Sequence, residues 1–243
     1  MKKFVSLLLS LIMIFSLITV SASAVGVSLS QGKDALVAQW QKGEGHGLDY
    51  RAYSPVTDEN DNTKYFMTTK QNCMPCEGTF IYDGKAYEFT KDTAFCALDW
   101  GRVNTPHEMV WYWGNGSTYV TDEKGEKHLF GFEITWAIGD ESNATETAIF
   151  YDGKVHKFGA VDVETFPKPD KFMDPWKFVS EDGRFNLTMT PTFDHHSDMN
   201  LGVARMHTHQ VHGKWSGNVI LDDGTKIEIN DMYAFCEYVE NRW

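Results

Sequence analysis

The chain has 243 residues, with 34 acidic side chains against 22 Lys and Arg, for a formal net charge of −12. A chain this acidic is repelled by phosphate backbones and anionic bilayers, so nucleic acid and acidic membrane surfaces are excluded as expected partners. Its 14% aromatic content calls for large apolar contact surfaces.

Residues 1–24 read as a cleaved export signal, which predicts a secreted or extracytoplasmic protein. Lys2 and Lys3 precede an apolar run from Phe4 to Val20, and Ala22-Ser23-Ala24 offers small residues for cleavage. Cleavage leaves 243 − 24 = 219 residues and, with two Lys removed, a charge of −14. That length suits one large β-barrel or sandwich, or two small domains. No later stretch has the length of a membrane span, so none is expected after cleavage.

Residues 25–62 are expected to be partly helix and partly loop. Leu36, Val37 and Trp40 fall on one side of a short helix over 33–42, and the polar stretch 55–63 reads as a loop. From 63 to 243 the pattern is that of an antiparallel β domain. Asp83-Gly84, Asp152-Gly153, Asp182-Gly183 and Asp223-Gly224 each sit between short aromatic and β-branched runs. Asp-Gly suits a tight hairpin because both central residues need φ > 0. Phe130, Phe132, Ile134, Trp136 and Ile138 alternate with Gly131, Glu133, Thr135 and Ala137, as in a strand with two different faces. Segments 79–89 and 148–158 both carry Tyr-Asp-Gly-Lys, which we read as two hairpins with one turn solution. Near the end, Met232, Phe235, Cys236 and Val239 share one face of an expected helix that starts at Asn230 or Asp231. The expected class is all-β: an antiparallel barrel or sandwich with a short C-terminal helix.

Cys73, Cys76, Cys96 and Cys236 allow three full disulfide pairings, and the sequence does not choose among them. Hairpin counting about Asp83-Gly84 brings Cys73 near Cys96, in competition with a local Cys73–Cys76 bridge. Cys73-Met-Pro-Cys76 has redox-pair spacing but lacks the helix N-terminus and βαβ unit which that chemistry uses, so a structural role is expected.

His207 and His209 share one face of a strand and His212 points away. A catalytic metal site usually has three protein ligands; two imidazoles with Asp194 or Asp198 as the third would make such a set, but two-histidine spacing alone is a weak signal and a solvated or hydrogen-bonded His-rich loop is expected. No metal and no cofactor are expected. Within 95–113, a strand puts Asp99 on the face of Phe95 and Ala97, with Arg102 as its nearest cationic partner. Trp111 and Trp113 share a face of the next strand. A carboxylate on an apolar face must be paired or protonated, so this segment is the candidate ligand or acid–base site.

Lys70-Gln71-Asn72-Cys73, Pro75, Glu77-Gly78, Ala97-Leu98-Asp99-Trp100-Gly101-Arg102 and Trp111-Tyr112-Trp113-Gly114 resemble the signature of the domain of unknown function 2804 family. The resemblance continues in order through Gly139-Asp140, Ala144-Thr145-Glu146, Tyr151-Asp152-Gly153-Lys154, Asp174-Pro175-Trp176, His209-Gln210, Ser216-Gly217 and Asn241-Arg242-Trp243, covering about 65–243. It implies a distant lipocalin-like relation, to carotenoid hydratases and tocopherol cyclases, and hence a β-barrel that handles lipid-like molecules. It adds Glu146, His209 and Gln210 as ligand-binding candidates. The family is typically longer, with a further β-rich half before the Lys-Gln-Asn-Cys motif. Val103-Asn104-Thr105-Pro106, Thr147 and His212 depart from its pattern, so His207 and His212 look particular to this chain.

The expected function is binding of an apolar or amphipathic small molecule in an aromatic-lined cavity, with Asp99, Arg102 and Glu77 as polar anchors. The alternative is a cofactor-free hydratase, cyclase or isomerase with Asp99 or Glu77 as proton donor and Trp113 facing a cation. A structural surface protein with a filled barrel is the third reading.

Overall fold

A computed structural model describes residues 38–42, 48–54, 65–138, 145–163 and 171–243, with side chains from Thr68 onward, Arg102 excepted. The expected export signal and the expected 55–63 loop lie outside the described residues.

Strands follow one another with no helix among the described residues. The first six are β1 (Ala38–Lys42), β2 (Leu48–Ser54), β3 (Tyr65–Pro75), β4 (Gly78–Tyr82), β5 (Lys85–Phe89) and β6 (Phe95–Asn104). The next five are β7 (Glu108–Thr121), β8 (Lys127–Trp136), β9 (Ala148–Tyr151), β10 (Lys154–Lys157) and β11 (Val161–Val163). The last four are β12 (Trp176–Ser180), β13 (Phe185–Asn200), β14 (Arg205–Ile220) and β15 (Lys226–Arg242). A nine-stranded sheet runs β10-β9-β8-β7-β15-β14-β13-β12-β11, a four-stranded sheet runs β1-β2-β3-β6, and β4-β5 is a separate hairpin. Every pairing is antiparallel.

The nine-stranded sheet curls until β11 reaches the region of β8. Its inner face is filled: Phe130, Phe132, Trp176, Phe178, Phe185 and Trp215 meet there, each no more than 1% exposed. The described interior of the curl is therefore packed core. On β8 the expected alternation holds, but the second face is buried as well. Phe132 and Ile134 point inward, whereas Glu133 and Thr135 point to the outer face and are still 0% and 2% exposed. That outer face lies beneath β3.

Gly131 explains how β3 settles there. A Cβ at Gly131 would run into Cys73 Sγ and lie 2.9 Å from Gly116 O. Glycine alone leaves room for the approach. At that point β3 breaks its ladder with β6, between Gln71 and Met74, and Cys73 takes a φ of 58°. Asn72 turns to the nine-stranded sheet, where its Nδ2 donates to Phe132 O at 3.0 Å and its Oδ1 accepts from Ser117 Oγ at 2.7 Å.

Two expectations of helix are corrected. Residues 38–42 of the proposed 33–42 helix form β1, paired along its length with β2, Trp40 opposite Tyr50. So short a segment has little helical stability in water, and a ladder with a neighbour outcompetes it. The β fold thus takes in residues from within the stretch 25–62. The C-terminal helix is likewise strand β15. Its inward residues are Ile227, Ile229, Met232, Ala234 and Cys236, with a step of three at Asp231. Asp231 has a φ of 51° and faces a register shift between Trp215 and Gly217. The bulge resets the alternation, and the expected stripe lies wholly beyond it and draws on both faces of the strand: Met232 and Cys236 point inward, whereas Phe235 packs on Trp113 and Val239 is buried two positions beyond Glu237.

At Asp83-Gly84 and Asp152-Gly153 both residues take positive φ, 48° with 72° and 44° with 80°. At Asp182-Gly183 and Asp223-Gly224 only the glycine does, at 71° and 85°. There the aspartates accept backbone N–H bonds, from Arg184 at 3.1 Å and Thr225 at 2.9 Å. All four cysteines are free. Cys73 and Cys236 are buried in different places, and it is Cys76 whose thiol lies against that of Cys96.

Candidate functional site

Between the two sheets lies a cluster of ionisable groups. Lys70, on β3, is 4% exposed. Its Nζ lies 2.8 Å from Asp99 Oδ1, 3.4 Å from Glu133 Oε1 and 3.6 Å from Glu146 Oε2. Asp99 is its cross-strand neighbour on β6, so this pair is set by register. Glu133 comes from the outer face of β8, and Glu146 from the chain just before β9. The Trp113 ring, on β7, faces the ammonium at 4.8 Å.

Both glutamates have further contacts. Glu133 accepts from Trp113 Nε1 and from Asn115 Nδ2, the latter at 2.6 Å. Thr68 Oγ1 donates to Glu146 Oε1, while Glu146 Oε2 has no hydrogen bond. Lys157 Nζ donates to Thr145 O at 2.7 Å and feels both glutamates. At the rim, Glu237 on β15 accepts from Trp111 Nε1 at 3.1 Å and Gln210 Nε2 at 3.3 Å. The Asp99 side chain is 40% exposed, so the cluster reaches solvent there.

Two buried glutamates beside one ammonium, with Asp99 at the solvent edge, cannot all ionise freely. Burial pushes the Glu133 carboxyl up to about 7, with Lys70 pulling it down and Glu146 raising it. Burial lowers Lys157 to about 7 although both glutamates oppose this. Burial also works against the charge on Lys70, but its three carboxylates together outweigh that and hold it well above the ordinary lysine value. Burial raises Glu237 too. A permanent cation thus stands beside a carboxyl group that exchanges its proton near neutrality, as a general acid or base requires.

A family model matches the chain over residues 53–243, under the description domain of unknown function, DUF2804. The chain belongs to that family. The DUF2804 match takes in every strand that supplies the Lys70 cluster. No curated protein and no solved structure matches the chain. The Lys70-Gln71-Asn72-Cys73 stretch acquires a physical reading here: Lys70 centres the charge cluster, Asn72 ties β3 to β8, and Cys73 packs on Gly131.

Of the residues singled out from sequence, Asp99, Trp113 and Glu146 meet at Lys70. Trp111 and Gln210 join its rim through Glu237. Glu77 stands apart, 67% exposed and 3.7 Å from Lys91. His209 lies on the opposite, inner face of the nine-stranded sheet, 2.7 Å from Asp194. Arg102 stands opposite Met67 on β6, and its side chain lies outside the described residues. Asp99 has a partner across the ladder in Lys70. Sequence reasoning did not select Lys70, Glu133, Asn115 or Lys157. For Glu133 one signal was present: a carboxylate on the polar face of an otherwise apolar, glycine-bearing strand.

Proposed function

We propose that this protein handles an apolar or amphipathic small molecule at the Lys70 cluster, and that Glu133 exchanges a proton with it. The observation that carries the reading is a fully buried carboxyl held near neutrality against Lys70, in a cluster that reaches solvent at Asp99. Asp99 and the half-buried Trp111 and Trp113 would receive the ligand. The indole face of Trp113, already turned to an ammonium, would favour positive charge developing on a protonated substrate. Hydration, cyclisation and isomerisation can each begin with such a proton donation and end when the Glu133 carboxylate takes a proton back from the cationic intermediate, with a water added in the case of hydration. The reading does not use the interior of the curl, which is packed. We further propose that the chain is exported, on the strength of its basic, apolar and small-residue sequence at 1–24. Among the described residues no helix is long and apolar enough to cross a membrane.

Native mass spectrometry of wild type and Glu133→Gln, each purified from the producing cells, tests this. A lipid-sized adduct lost on denaturation is expected in both. Wild type should release a product that the variant does not make from the same bound molecule, heavier by one water for a hydration or isomeric for a cyclisation. Absence of any adduct, or identical products from both proteins, would overturn the reading.

A further inference from the structure

The inner face of the nine-stranded sheet carries a second cluster, past the end of the packed core. Strand β14 places His207 and His209 on the face of Val211 and Trp215. Strand β13 lies beside it in a register that sets His196 opposite His209 and Asp198 opposite His207. The sequence therefore shows two imidazoles two residues apart, and the ladder supplies a third from eleven residues earlier. The ligating atoms of His196, His207 and His209 all lie within 4.8 Å of one another. His212, on the other face, stacks with Tyr233 and takes no part.

Three further observations turn proximity into a binding arrangement. His209 Nδ1 is bonded to Asp194 Oδ2 at 2.7 Å, which leaves its Nε2 free and fixes its tautomer. A carboxylate behind one imidazole nitrogen is the usual support for a metal on the other. His209 is also clamped in place, stacked on Phe172 at 3.7 Å and on His196 at 4.2 Å. His207 Nδ1 is buried with no hydrogen-bond partner, as is Asp194 Oδ1. Asp198 Oδ1 stands 4.0 Å from the His207 nitrogen, beyond hydrogen-bond reach, and a buried imidazole nitrogen without a hydrogen bond is a costly arrangement that a cation would satisfy.

We propose that His196, His207 and His209 form a three-imidazole site for a borderline first-row divalent cation of the zinc type, oriented by Asp194. Tetrahedral bonds of about 2.0–2.1 Å put neighbouring nitrogens roughly 3.4 Å apart. The rings therefore close on the ion by side-chain rotation, chiefly of the exposed His196, against a His209 held by Asp194 and Phe172. Three protein ligands leave a fourth position open to water or another small ligand. This site lies on the opposite face of the sheet from Lys70 and does not depend on the role proposed for Glu133.

Equilibrium dialysis of untagged, chelator-stripped protein against Zn2+ tests it, with bound metal counted per chain. Wild type should take up one equivalent. His196→Ala and His207→Ala should each weaken binding at least about tenfold, and Asp194→Asn by about 10–100-fold. His212→Ala should bind as wild type does. His196 is exposed, so its replacement leaves the fold intact, which circular dichroism checks. Substoichiometric uptake by wild type would overturn the proposal. So would undiminished uptake by a His196→Ala, His207→Ala double variant, which would place the ion elsewhere, for example at Asp122, Glu126 and His128.

Discussion

The two faces of the nine-stranded sheet carry two polar clusters built on opposite terms. On the outer face, Lys70 gathers Asp99, Glu133 and Glu146 under a second sheet, with both glutamates no more than 1% exposed. On the inner face, three histidines stand where the apolar core runs out, and one of them, His196, is exposed. The first cluster is charged within itself, so each member depends on the others for its solvation. The second is built on imidazoles, can lose its outermost member cheaply, and gains most from a cation that arrives from solution. Burial thus decides whether a polar cluster is obligatory to the fold or optional to it.

Removing the centre of the outer cluster gives the largest effect. Lys70→Met should cost about 3–5 kcal/mol of stability, because it leaves Glu133 and Glu146 without their cation. Urea unfolding at pH 7 measures it, and a loss below about 1 kcal/mol would remove the contrast between the faces.

Next comes pH. The Glu133 carboxyl titrates near 7 when folded and near 4.5 when exposed. Between those values the unfolded chain has released the proton and the folded chain keeps it. Stability from this group therefore falls as pH rises from 4.5 to 7, by roughly 3 kcal/mol in all. Lys157 works in the reverse sense: folded it loses its proton near 7, unfolded only near 10.5, so its contribution rises with pH across that interval. Urea midpoints of wild type and Glu133→Gln from pH 5 to 7 separate the terms. The decline due to Glu133 should vanish in the variant, and parallel curves would refute the assignment.

Gly131→Ala tests how the outer cluster is sealed. The new methyl would press on Cys73 Sγ and on the Gly116 carbonyl, neither of which can retreat without moving a strand. A loss of about 1–3 kcal/mol is expected, with faster hydrogen exchange in β3. The smallest effect belongs to the inner face. Without metal, His196→Ala should change stability by no more than about 0.5 kcal/mol. A metal-free loss of several kcal/mol would show that the histidines are as obligatory as Lys70.

Much of the fold was legible from local chemistry. The turns at Asp83-Gly84 and Asp152-Gly153 follow from residues that accept positive φ, and the alternation around Phe132 follows from the pleat. The terminal strand reads as a helix in sequence because both of its faces carry apolar residues: Met232 and Cys236 enter the core while Phe235 packs on Trp113 and Val239 is also buried, and that second burial comes from neighbouring strands. The site was legible in part for the same reason. Asp99 and Trp113 stand out as residues that must find a partner, whereas Glu133 and Lys70 become partners only when β3 lies across β8.

What the sequence by itself determined is the set of short-range rules: an antiparallel all-β chain, its tight turns, its two-faced strands, and membership of DUF2804. What only the tertiary structure decided is the pairing between elements far apart in the chain. Lys70 meets Glu133 and Glu146 across 63 and 76 residues, and His196 meets His209 across a ladder. The physical reason is that local sequence sets dihedral angles and faces, whereas ionisation and coordination depend on which faces are pressed together and how much water is left between them.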